Sequence, residues 1–168
     1  MRRVIAGVFV FVSCVTLTAQ EKPVLPATDV TAADVSAFLK ALPRDVISDR
    51  PIRIVNVGGY HVGLYGVFRP KSLPGDAILH DTTTSEVYYM LEGSATLVTG
   101  GKLAGLKPSQ GNSTSPRGER VEGGVSRKVV KGDVIIIPGR TPHWWSTLDS
   151  DIQYLIVRPD PDSRLQPK

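Results

Sequence analysis

Two segments of this chain each join a potential metal ligand to a strand and a turn. The first spans residues 80–93, HDTTTSEVYYMLEG, and the second spans residues 132–143, GDVIIIPGRTPH. Short apolar runs bounded by Gly and Pro predict β-strands. Imidazole and carboxylate groups beside such strands are ligands that suit borderline divalent metals. The pair of segments therefore constrains the fold more than any other feature of the sequence.

The two segments resemble the two signature motifs of the cupin superfamily, H-x-H-x3-E-x6-G and G-x5-P-x-G-x2-H. Thr82 stands where the second histidine of the first motif is expected, and Arg140 replaces the inner glycine of the second motif. The resemblance covers roughly residues 52–158. It implies an all-β fold, a single double-stranded β-helix (the cupin jelly-roll barrel), which is joined here to a short N-terminal α-helix. The superfamily contains many different enzymes and binding proteins, so the resemblance alone selects no reaction.

The resemblance implies a metal site made by His80, Glu86 and His143. His80, Thr82 and Glu86 have the same parity, so they can share one face of a strand if the turn between them keeps the phase. Two imidazoles and one carboxylate would suit Mn, Fe, Ni or Zn, with further positions open to water or substrate. His61 could add a ligand if its strand crosses the site, or it could be a structural histidine. A metal-free pocket is the alternative.

Side chains near these ligands are candidates for substrate binding. Tyr88 has the parity of Glu86 and is the candidate for orienting a substrate or donating a proton. The residues expected to line or border the barrel interior are Thr82, Met90, Trp145 and Arg140. The buried aromatic and apolar members could equally be ordinary core, and Arg140 could simply be exposed to solvent.

The N-terminal segment indicates export. Two arginines precede an apolar run over residues 4–15, and Ala19 offers a cleavage site before Gln20. Residues 1–19 are therefore predicted to be a signal peptide, which predicts a secreted or periplasmic protein. The run is shorter than the ~20 residues of a spanning helix, so we expect no stable membrane insertion. A lipidated Cys14 is an alternative.

The rest of the chain divides into three parts. Thr31, followed three residues later by Asp34, predicts a capped helix in the N-terminal part. A segment rich in Gly, Ser and Pro, residues 107–124, is predicted to be a flexible loop. The parts are a leader with the helix over residues 20–51, the cupin barrel over 52–158, and a flexible tail over 159–168.

Charge and composition limit the classes of molecule that this chain is expected to bind. The formal net charge is +4, and two of these positive charges belong to the signal peptide. The remaining charges are interspersed, which gives no indication of nucleic acid binding. The sequence thus predicts a secreted cupin-domain protein that binds a divalent metal and acts on or binds a small organic molecule. A metal-free small-ligand module, for instance for sugars, and a purely structural role are the alternatives, and a homodimer is expected in each case.

Overall fold

The computed structural model describes residues 24–80, 82–108 and 115–168, and it confirms an all-β fold. Over these described residues, one short helix accompanies eleven strands in two antiparallel sheets. Within the described residues, no helix is long and apolar enough to cross a membrane. The predicted signal peptide, residues 1–19, lies outside the described residues.

The elements follow one another along the chain with short connections. The helix comes first, and the strands are numbered in chain order. The bounds are α1 Ala32–Lys40, β1 Ser48–Asn56, β2 His61–Arg69, β3 Ala77–Ile78, β4 Glu86–Glu92, β5 Ser94–Thr99, β6 Lys102–Lys107, β7 Arg117–Glu122, β8 Val125–Val130, β9 Val134–Ile137, β10 His143–Leu148 and β11 Ile152–Asp160.

The two sheets face each other and form a jelly roll. One sheet has the strand order β1-β2-β11-β4-β9, and the other has β6-β7-β3-β10-β5-β8. The main core lies between them, because both sheets contribute buried side chains to a single apolar cluster, such as Met90 and Tyr154 from the first sheet and Leu97 and Trp145 from the second. Alternate residues of each strand point into this interior.

The helix begins as predicted and packs on the outer face of the five-stranded sheet. Thr31 and Asp34 form a complete capping box at its N-terminus. Leu39 and Leu42 pack against Phe68 of β2. Gly66 permits this close approach, since a Cβ atom there would lie 2.9 Å from Cδ2 of Leu39. The helix therefore covers one part of the outer face of this sheet.

The predicted flexible loop over residues 107–124 is wrong for its second half. β7 pairs with β6 in a regular antiparallel ladder and continues the sheet through β3. The sequence did not indicate this strand, because its exposed face is charged and lacks apolar alternation. Arg120 pairs with Glu122 on that face. β1 also begins before the predicted start of the barrel at residue 52. It is an edge strand whose register shifts beside Pro51, where an edge position tolerates proline.

The C-terminal residues contact the jelly roll, which differs from the loosely attached tail that their prolines predict. β11 extends to Asp160, and this buried carboxylate accepts hydrogen bonds from the Thr84 hydroxyl and the Leu165 amide. Leu165 packs against the main core. The backbone of Lys168 pairs with that of Ile54.

Candidate metal centre

The structure brings the three predicted ligands together at one end of the interior. Glu86 opens β4 in one sheet, His143 opens β10 in the other, and His80 follows β3. One ligand atom from each lies within 4.8 Å of the other two. This group could hold a metal ion, as the motif resemblance implied.

The turn between β9 and β10 positions His143 opposite the first motif. Gly139 packs so closely on the preceding loop that a Cβ atom would lie 2.7 Å from the carbonyl oxygen of Thr82. Arg140, which replaces the motif glycine, adopts φ 59°. The arginine therefore accepts the left-handed conformation that glycine normally supplies at no steric cost.

Glu86 is buried and ionised, and two strong donors hold its carboxylate. Arg158 Nε donates to Oε1 at 2.7 Å, and the Tyr88 hydroxyl donates to Oε2 at 2.8 Å. Burial by itself raises the pKa of Glu86, but the charge of Arg158, the charges that His143 and His80 carry once they are protonated in acid, and the Tyr88 hydrogen bond outweigh it and lower this pKa to about 2. A fixed carboxylate with unused lone pairs thus lies between the two histidines.

His143 presents a lone pair to this carboxylate. Its Nδ1 lies 2.9 Å from the carbonyl oxygen of Thr141, which can only accept, so Nδ1 carries the proton. Burial lowers the pKa of the ring more than Glu86 and Thr141 raise it, and the imidazole is neutral at pH 7. Nε2 is then an acceptor only 3.4 Å from Oε2 of Glu86. Two acceptors facing each other at this distance fit a cation between them.

His80 completes the donor set from the more open side. Its Nε2 lies 3.7 Å from Oε1 of Glu86, and about a third of its side chain is exposed. The rings of His80 and His143 are 5.3 Å apart between centroids. Burial lowers the pKa of His80 despite the opposing charge of Glu86. Both imidazoles are therefore in the neutral form that coordinates metals.

The other predicted site residues divide by location. Tyr88 contacts Glu86 directly, and Thr82 borders a cavity beside His80. Met90 and Trp145 lie in the main core and line neither of the two cavities beside the ligands. Arg140 is exposed and likewise lines neither. His61 contacts the carbonyl oxygen of Leu165 at 2.6 Å and is not one of the grouped ligands, which favours its structural interpretation.

Sequence reasoning missed Arg158, the residue that holds Glu86. Arg158 also forms two hydrogen bonds with Asp49 of β1, at 3.1 and 2.7 Å, and its guanidinium lies over the Tyr65 ring. The alternation of β11 was the available signal. Ile152, Tyr154 and Ile156 point inward at every second position, so the next residue of that series is Arg158, an inward-facing charge.

Two cavities adjoin the ligands. The smaller, of about 320 Å³, borders Glu86, Thr82 and Arg158. The larger, of about 400 Å³, borders His80, His143 and Tyr88 and continues toward Arg69 and Arg117. Spaces of this size suit small organic molecules.

No protein-family model and no curated protein matches this chain significantly, whereas solved structures do. A Bacillus halodurans protein aligns with TM-score 0.50 at 13% identity over 85% of this chain and 88% of its own. DMSP lyase DddQ from Ruegeria pomeroyi aligns with TM-score 0.45 at 18% identity, covering 86% of this chain and 79% of its own. An RmlC-like cupin family protein from Methanocaldococcus jannaschii aligns with TM-score 0.42 at 15% identity over 71% and 88% of the two chains.

This chain has the double-stranded β-helix fold that the two sequence motifs predicted. Its two facing sheets and the placement of both motifs agree with the sequence resemblance. At these low identities the structural similarity concerns the fold alone.

Replacement of Glu86 by Gln should lower the free energy of unfolding of the metal-free protein at neutral pH. It should also reduce the loss of stability between pH 4.5 and pH 2. The folded-state pKa of Glu86 lies below its ordinary 4.5, so its carboxylate stabilises the fold above pH 4.5 and ceases to do so as pH falls toward 2. This lowering of the pKa corresponds to a contribution of Glu86 to the free energy of unfolding on the order of 3 kcal/mol. Urea denaturation of chelator-treated protein across this pH range measures it.

Glu92→Gln is the matched control, because Glu92 is exposed at the end of the same strand. This variant should change the free energy of unfolding by at most about 0.5 kcal/mol. Parallel stability curves for the Glu86→Gln variant and the wild type from pH 7 to acid would contradict the buried, ionised carboxylate.

Proposed function

We propose that this chain is an exported metal-binding protein that holds one divalent ion on His80, Glu86 and His143. A small organic molecule would bind in the adjoining cavity, where the chain either binds it or acts on it. The carrying observation is the 3.4 Å approach of the His143 Nε2 lone pair to Oε2 of Glu86. A cation removes the repulsion between these two acceptors and uses both.

The donor set limits the choice of metal and assigns roles to the surrounding residues. Two imidazoles and a carboxylate suit Mn, Fe, Ni or Zn. Such an ion supplies Lewis acidity toward a substrate oxygen. Thr141 fixes the tautomer of His143, and Arg158 and Tyr88 fix the orientation of Glu86, as supporting groups do around metal ligands.

Tyr88 is the candidate for contact with the substrate. Its ring borders the larger cavity, and its hydroxyl donates to Glu86. Burial and the negative charge of Glu86 raise the pKa of Tyr88 well above its ordinary value. The phenol therefore keeps its proton at neutral pH, so it would serve as a donor that orients a substrate rather than as a base.

A metal-free binding module is the second candidate, and the contacts of Glu86 favour it. The carboxylate is already satisfied by Arg158 and Tyr88, so the charge is compensated without an ion. In that case the cavity would bind its ligand through these fixed polar groups. The two candidates differ in whether the ligand requires the metal.

Elemental mass spectrometry of the tag-free mature chain, residues 20–168, tests the metal. We expect close to one equivalent of a transition metal after incubation with Mn, Fe, Ni or Zn. His80→Ala and His143→Ala should each lose most of it, since each removes a ligand of a three-residue set. Metal affinity of such a site falls steeply with the loss of one imidazole.

His61→Ala is the matched control, because His61 is the third histidine of the chain and lies outside the group of ligands. It should retain the metal of the wild type. No metal in the wild type after these incubations, or equal metal in all three variants, would reject the metal centre and leave the metal-free module as the leading function.

We also propose that the chain acts outside the cytoplasm. The support is the sequence of residues 1–19, with its basic start, apolar run and small residue at the cleavage site. Expressed in a Gram-negative bacterium, the protein should appear in the periplasm with Gln20 at its N-terminus. A cytoplasmic protein that retains Met1 would contradict the proposal.

A homodimer formed through the five-stranded sheet is our proposal for the assembly. The support is a row of exposed apolar side chains on its outer face that the helix leaves uncovered: Tyr89, Val134, Ile136 and Val157. Contiguous exposed apolar surface of this kind marks interaction sites. Sedimentation velocity should give a dimer for the wild type and a monomer for Ile136→Lys.

Val125→Lys is the control for the dimer, since Val125 is as exposed as Ile136 but lies in the other sheet. It should remain dimeric. A monomeric wild type at all concentrations would exclude this assembly.

A further inference from the structure

The larger cavity has a second polar end that the metal centre does not use. Arg117 of β7 pairs in register with Ile78 of β3, and Ile78 pairs with His143 of β10. Residues opposite each other across antiparallel strands share a face, so Arg117 and His143 point to the same side of this sheet. With about 5 Å between neighbouring strands, their backbones lie about 10 Å apart. Both residues border the same cavity.

Arg117 has a buried donor without a partner. Its Nε is buried and makes no hydrogen bond. Within the part of the chain that the structure describes, no carboxylate lies in ion-pair distance of Arg117. Buried unsatisfied donors are uncommon in native proteins and call for a specific explanation. A planar guanidinium is suited to carboxylate and phosphate oxygens.

Tyr154 and Arg69 add donors to the same cavity. The Tyr154 hydroxyl oxygen accepts from Arg69 Nε at 3.0 Å and from Trp145 Nε1 at 3.3 Å. Both partners are donors only, so the hydroxyl hydrogen of Tyr154 has no acceptor among these contacts. Arg69 Nη1 donates to the carbonyl oxygen of Pro74 at 3.0 Å, which supplies no negative charge.

The carboxylates that border the cavity have ion-pair partners of their own. Both oxygens of Asp49 accept from Arg158, and Asp76 pairs with Lys107 at 2.6 Å. Asp49 shares Arg158 with Glu86, so this single guanidinium offsets two carboxylates. Arg69 and Arg117 supply two further positive charges, which leaves an excess of one positive charge among these described groups. An anion is the ligand that such an end would attract.

We propose that Arg117, with Arg69 and the Tyr154 hydroxyl, forms a subsite for the carboxylate or phosphate group of a small organic anion. The rest of this molecule extends along the cavity toward His80 and His143. The inference deepens the proposed function, since it names the substrate class, and it rests on that function for the contact with the metal. The anion contact itself needs no metal.

The test uses the tag-free chain, residues 20–168, in metal-stripped and metal-loaded forms. Inorganic phosphate and lactate are the two probes, and potassium chloride controls for ionic strength. The readouts are the Arg117 side-chain Nε–H signal by nuclear magnetic resonance and the affinity by calorimetry. We expect at least one probe to shift this signal in the metal-stripped wild type, and the probe that binds distinguishes a phosphate from a carboxylate ligand.

Arg117→Lys keeps the charge and removes the planar donor, so it should lower the affinity for that probe by about tenfold or more. Arg120→Lys is the matched control on the same strand, because Arg120 is exposed and pairs with Glu122. It should bind like the wild type. The wild-type signal provides evidence that does not depend on the folding of any variant.

The outcomes separate this subsite from the metal centre. No shift of the Arg117 signal with either probe, or equal affinity for wild type and Arg117→Lys, would overturn the subsite. Binding that occurs only in the metal-loaded form and is unaffected by Arg117→Lys would overturn it too, while the metal centre would stand. Anion binding that depends on Arg117, in a protein that takes up no metal during the loading step, would support the subsite and reject the metal centre.

Discussion

The buried ion pair between Glu86 and Arg158 is the interaction on which the site depends. An unpaired carboxylate would be protonated in this interior, because burial strongly disfavours its charge. Arg158 prevents this, and it is itself held by Asp49 and by the face of the Tyr65 ring. The pair joins β4 and β11, Asp49 adds β1, and a negative group is fixed at the end of the interior.

The two histidines complete this arrangement because they are neutral. Burial lowers the pKa of both rings, and Thr141 directs the His143 lone pair toward the carboxylate. The three ligand groups lie within 4.8 Å of one another at this end of the interior, and the larger cavity beside them also borders Arg69 and Arg117. Under the proposed function and the proposed subsite, the cavity would receive a cation at the three ligands and an anion at the arginines. A substrate that bridges them would be oriented before any reaction.

The sequence predicted those helices and strands in which the spacing of apolar and polar residues reflects which side chains are buried. The two motifs predicted that His80, Glu86 and His143 would lie together, and the structure groups them within 4.8 Å. The capped helix at Thr31 formed as expected. The motifs succeeded because fixed spacing along a strand determines which side chains face the interior.

The misses share a physical cause, since each depends on contacts between distant segments. Arg158 reads as an ordinary polar residue at the end of β11 until its pairing with Glu86, 72 residues away, is known. β7 has an exposed charged face and no apolar alternation, so its pairing with β6 decided its structure. Met90 and Trp145 have the parity of interior residues, but parity does not distinguish a cavity wall from the core in which they pack. Arg117 was missed for the same reason, because it opens β7, which was predicted to be part of a loop.

Anomalous diffraction from crystals of the mature chain grown with Mn, Fe, Ni or Zn tests the central claim most directly. We expect one strong anomalous peak bonded to Nε2 of His143, Nε2 of His80 and an oxygen of Glu86, with Arg158 still contacting the carboxylate. A fully occupied peak elsewhere in the chain, or none between these three side chains at saturating metal, would contradict the claim that the polar end of this interior is a metal centre.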